Sequence, residues 1–101
     1  MGKGFTDVQK QSMIEEAMAL RTRLFDIANA FDGEETGHIA SELHQACNHI
    51  GWANQSFSTY LFNNLEKDGD RLAVMCIRRG ADRAAVAAWP DIKRLEYIQK
   101  H

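Results

Sequence analysis

The chain has 101 residues, 45% hydrophobic and 26% charged, with one proline; this predicts one domain with a modest core, near the size where self-association often adds stability, and excludes a disordered chain. No apolar run approaches the ~20 residues of a membrane span, and Met1-Gly2-Lys3-Gly4 lacks the apolar stretch of a secretory signal, so a cytoplasmic location is expected. The net charge of −2 conceals a split: residues 1–69 carry five Lys or Arg against ten Asp or Glu, and residues 70–101 carry seven against four.

A long first helix is predicted over about residues 7–31. Met13, Ala17, Leu20, Leu24, Ile27 and Phe31 repeat at alternating steps of four and three, which places them on one inward side, and Ile14, Met18, Phe25 and Ala28 form a second row beside them. Thr6 followed by Gln9 reads as a capping box, with Phe5 placed to pack forward onto the first turns, and Asp32-Gly33 marks the end. After the acidic turn Asp32 to Gly37, a second helix over about 37–50 presents Ile39, Leu43, Ala46, Cys47 and Ile50, and the short connection predicts an antiparallel hairpin. Gly51 either ends that helix or lies within a longer one.

A third helix is predicted over about 53–67, with Phe57, Tyr60, Leu61 and Leu65 inward and a polar, almost uncharged face of Asn54, Gln55, Ser58, Thr59, Asn63 and Asn64. A fourth, about 71–79, buries Leu72, Met75, Cys76 and Ile77 and stops at Gly80. A fifth, about 82–89, is capped by Asp82, and Pro90 separates it from a last helix over about 91–99 carrying Ile92, Leu95 and Ile98. The fold class is all-α, a bundle of four to six helices built on the long N-terminal helix and the hairpin. Cys47 and Cys76, on separate apolar faces, read as buried thiols.

Two constellations bear on function. From Leu43 to Tyr60, the apolar spacing around Gly51 resembles the helix-turn-helix of phage repressors, as does Tyr60-Leu61-Phe62-Asn63-Asn64 locally over residues 43–64. That resemblance implies a DNA-binding regulator reading base edges with Asn54, Gln55, Ser58 and Thr59. From Leu43 through Glu66, however, there is no Lys or Arg to meet phosphate, and two core helices joined at a glycine account for the same spacing.

The second resemblance covers residues 14–58. Leu24, Phe25 and Ile27, paired with a helix that closes on Trp52-Ala53-Asn54, look like the helical hairpin of small phage anti-CBASS and anti-Thoeris sponges for cyclic oligonucleotide signals. It implies an oligomeric, non-catalytic anti-defence protein that sequesters an anionic nucleotide; inhibition of a host protein is the companion expectation. The physical candidates are Trp52, Asn54 and Tyr60 for base contacts and Arg78, Arg79 and Arg83 for phosphate, against the plainer assignment of core aromatics and surface arginines.

Metal and catalytic patterns are incomplete. His44 and Cys47 share a face, but no second pair completes a four-ligand set, and Glu35 with His38 is one half of a di-iron motif whose other half is missing. No cofactor, metal or enzymatic activity is expected.

Overall fold

The computed structural model of the chain describes residues 4–63, 65 and 68–101. Among them are five α-helices: α1 (Asp7–Ala28), continued by a 3₁₀ turn at Asn29–Phe31, then α2 (Gly37–Phe62), α3 (Gly69–Arg78), α4 (Arg83–Ala88) and α5 (Asp91–Lys100). The fold is all-α, with a long N-terminal helix. No helix among the described residues is long and apolar enough to cross a membrane. The chain divides into two compact units, Ser12–Ser58 and Met1–Gln11 with Thr59–His101.

Local signals set the helix ends. The capping box forms reciprocally, the Thr6 amide donating to Gln9 Oε1 at 2.8 Å and the Gln9 amide to Thr6 Oγ1 at 3.1 Å. The Asp82 carboxylate accepts from the Ala85 amide at 2.9 Å to open α4, and Asp68 accepts from the Asp70 amide at 3.0 Å to open α3. Gly80 ends α3 with a φ of +101°, while the Ala81 and Gly80 amides donate back to the Cys76 and Ile77 carbonyls, both at 3.0 Å. That pair of bonds is a Schellman closure, and it requires the left-handed residue that glycine supplies without strain.

In the unit Ser12–Ser58, α1 and α2 form the predicted antiparallel hairpin. Arg21 Nε donates to the Cys47 carbonyl at 3.0 Å, and one turn further along α1 the Phe25 ring meets His44, one turn earlier on α2, at 5.7 Å. The Arg21 guanidinium also lies over Phe25 at 4.9 Å. Ala28 and Cys47 are fully buried, but the other apolar residues between Ser12 and Ser58 are only half-buried or exposed, because two helices alone cannot enclose a core.

Three expectations are corrected here. α2 runs unbroken through Gly51, so no turn separates two helices between Leu43 and Tyr60 and the helix-turn-helix geometry is absent. The Arg21 guanidinium passes over this glycine, and a Cβ at Gly51 would lie 3.6 Å from Arg21 Nε, an ordinary contact distance. Met13 and Leu20, expected inward, are 42% and 53% exposed, because α2 packs on the neighbouring row of α1. Finally, the helix expected to reach residue 67 ends at Phe62; Asn64, placed on its polar face, lies outside the described residues.

The second unit is organised by α3, whose Leu72, Ala73, Val74, Met75 and Cys76 are all buried and which packs against α4 and α5. Leu61, Val86 and Ile98 complete this core. Ile92, expected to share the inward row with Leu95 and Ile98, is 71% exposed. Arg94 ties the helices together: Nε and Nη2 donate to the Val86 carbonyl at 3.1 and 3.0 Å, and Nη1 to the Gly69 carbonyl at 3.3 Å. Cys47 and Cys76 are free, buried thiols, as the sequence predicts.

Candidate functional site

The residues proposed from sequence fall into both units. Trp52 and Asn54 belong to Ser12–Ser58, whereas Tyr60, Arg78, Arg79 and Arg83 belong to the other. Trp52 is 58% exposed, with its ring edge-on to His49 at 4.9 Å, and Asn54 is half-buried and has a partner within the chain. Gln55, Thr59 and Arg83 are exposed and also partnered, while Ser58 is half-buried; all but Arg83 lie on the continuous second half of α2.

Tyr60 is built into the scaffold. Its hydroxyl donates to Asp7 Oδ1 at 2.9 Å, and its ring carries the Arg71 guanidinium at 4.2 Å and Lys10 Nζ at 5.5 Å. Asp7, buried at the first turn of α1, also pairs with Arg71 Nε at 3.5 Å, while its amide donates to Asp70. Arg71 adds an ion pair to Asp68 at 3.6 Å and donates to the Tyr60 and Asn63 carbonyls. This network seats the start of α1 on the end of α2 and the start of α3, and it occupies the Tyr60 ring that a base would need. Arg78 Nη1 donates to Gln11 Oε1 at 2.8 Å and Arg79 Nη1 to the Ile98 carbonyl at 3.1 Å, so both arginines also link helices.

A different set of side chains forms an open groove of about 240 Å³ lined by Trp89, Lys93, Glu96, Tyr97, Lys100 and His101. Trp89 is the C-cap of α4, turned out of helical conformation ahead of Pro90. α5 then restarts at Asp91, and Lys93, Tyr97 and His101 follow one another at helical spacing along its side. The aromatic rings form a continuous rail. Trp89 and Tyr97 are tilted at 47° with centroids 5.6 Å apart, and Tyr97 and His101 stack at 4.0 Å and 12°. Lys93 Nζ sits over the Trp89 ring at 4.8 Å.

Sequence reasoning missed this groove, because neither Trp89 nor Tyr97 was given a role in it. The signal was present as Trp89, Lys93, Tyr97 and His101, an aromatic and basic series at steps of four across the proline break. Chemically, the groove offers flat π-surface for an aromatic ring, two ammonium groups for an anion, and one carboxylate that only accepts hydrogen bonds when ionised.

Among the described residues, no cluster of three His, Cys, Asp or Glu side chains is positioned to hold a metal ion. His44 and His49 instead contact Phe25 and Trp52. No protein-family model matches the chain, and neither a curated protein nor a solved structure matches it.

Proposed function

We propose that this chain is a non-catalytic binding protein that sequesters an anionic, base-containing ligand of the nucleotide class in the Trp89–Tyr97 groove. The observation that carries the reading is the aromatic rail bordered by Lys93 and Lys100. A base stacked on such a surface gains ~1–3 kcal/mol, whatever its identity, and ammonium groups on flexible stems meet phosphate as point charges. The Lys93 contact with Trp89, of a kind worth ~0.5–1 kcal/mol at an exposed site, is weak enough for a base to displace. The groove's volume, about 240 Å³, lies just below the ~300 Å³ at which pockets for drug-sized ligands begin, and suits one base with its phosphate.

A binding role rather than a chemical one is favoured by how the other polar side chains are used. Asp7, Tyr60, Arg71, Arg78, Arg79 and Arg94 all hold helices to one another. Trp52, which belongs to the other compact unit, is the second of two tryptophans, and Trp52→Phe leaves Trp89 as the single indole. In that background, Trp89 fluorescence titrated with nucleoside monophosphates and cyclic dinucleotides is expected to show saturable quenching, with a dissociation constant between about 0.1 and 1 mM for a single base unit. Ribose 5-phosphate, lacking a base, should leave the emission unchanged. No quenching by any nucleotide would overturn the reading.

A further inference from the structure

The row Met13, Ala17, Leu20, Leu24, Ile27 and Phe31 follows steps of four and three, the repeat of a helix that meets another along a narrow seam. In the hairpin α2 takes the neighbouring face instead, covering Arg21, Phe25 and Ala28. The row itself stays open, with Met13 and Leu20 exposed and the others half-buried. Glu16 and Arg23 occupy equivalent positions, each one residue before a member of the row, and both are exposed.

We propose that a second copy of this chain covers the Met13–Leu24 part of the row, α1 packing antiparallel on α1 about a two-fold axis between Ala17 and Leu20. That operation brings Glu16 of each copy to Arg23 of the other, giving two opposite-charge pairs at the edge of the seam. It also sets Leu20 of one copy over the small Ala17 of the other, so large and small residues interdigitate.

Charge decides the orientation. A parallel pairing would direct Glu16 toward Arg21, whose guanidinium already donates to the Cys47 carbonyl and lies on Phe25. It would also bring the acidic turns, Asp32, Glu34 and Glu35, to the same end. Antiparallel helices keep these turns at opposite ends, which matters because residues 12–58 carry two Lys or Arg against seven Asp or Glu. The pairing is independent of the groove, which lies on other helices.

Sedimentation equilibrium on the whole chain tests it, with circular dichroism to follow folding. The wild-type protein should dimerise, and Leu20→Glu, at an exposed position, should abolish the dimer with helicity retained. Glu16→Arg should weaken the dimer about five- to tenfold by facing arginine with arginine. The double variant Glu16→Arg/Arg23→Glu should restore it, a rescue that decides the matter even if Leu20→Glu loses helicity. A monomeric wild type, a dimer indifferent to Leu20→Glu with helicity intact, or a double variant no tighter than Glu16→Arg would each overturn the proposal.

Discussion

The Tyr97 hydroxyl donates to the Arg79 carbonyl at 3.3 Å, while Arg79 Nη1 donates back to the carbonyl of Ile98, the residue after Tyr97, at 3.1 Å. The same tyrosine therefore locks α5 to the end of α3 with its hydroxyl and offers its ring to the groove. The two roles separate by substitution. Tyr97→Phe should cost about 1 kcal/mol in a denaturant titration, the worth of one hydrogen bond, yet leave nucleotide binding nearly unchanged. Tyr97→Ala should weaken binding about tenfold by removing the stacking face.

Asp7 is the buried hub of the first turn, accepting from Tyr60 and pairing with Arg71. Replacing it by alanine leaves the Tyr60 hydroxyl without this acceptor and Arg71 without its buried counter-charge. Asp7→Ala should lower unfolding stability by about 1.5–3 kcal/mol, the range for hydrogen bonds to charged groups. A change below about 0.5 kcal/mol, within the scatter of surface substitutions, would show that the network contributes little.

Burial raises the Cys76 thiol pKa above its ordinary value of 9.0, against the opposing pull of Arg94 and Arg79. The folded state therefore holds the proton more tightly than the unfolded one. This contribution to stability is fully present below the unfolded thiol's pKa and is lost as pH rises through the folded value. The thermal midpoint should fall above pH 9.0 in the native chain and fall less in Cys76→Ala when each is referred to its own neutral-pH value. Parallel curves for the two proteins would contradict the assignment.

Gly51 supplies a test of the continuous α2. In a helix interior, alanine is better than glycine by about 0.5–1 kcal/mol, and a Cβ here meets Arg21 only at ordinary contact distance, 3.6 Å. Gly51→Ala should therefore raise the thermal midpoint by a few degrees. A drop would mean that the chain needs glycine's freedom at this position, as a turn would.

Much of the fold was legible because its signals are local. Thr6 with Gln9, Asp82, Gly80 and Pro90 each act within a few residues, and each does in the structure what its chemistry implies. The errors lie where a choice depends on distant partners. Periodicity identified two apolar rows on α1 but could not say which one α2 would take, so Leu20 was assigned inward although it is exposed. Leu24 shows the energetic consequence: a fully buried leucine would cost ~2–5 kcal/mol on truncation to alanine, but at its half-buried position about 1–2 kcal/mol is expected.

The candidate site was hidden for a related reason. Tyr60 and Arg78 have the right chemistry for a ligand, but Asp7 and Gln11, distant in sequence, already engage them. The Trp89–His101 series was readable in the sequence, but the proline between Trp89 and α5 obscured that its members line one groove.

The central claim is that an anionic nucleotide binds on the Trp89–Tyr97 rail. The most direct measurement is a titration of isotopically labelled protein with a nucleoside monophosphate, followed by heteronuclear NMR of backbone amides and of both indoles. The account predicts saturable shifts concentrated at Trp89, Lys93, Tyr97 and Lys100, with the Trp52 indole unmoved. Shifts centred on Trp52, or on Arg78 and Arg83 with Trp89 silent, would contradict it.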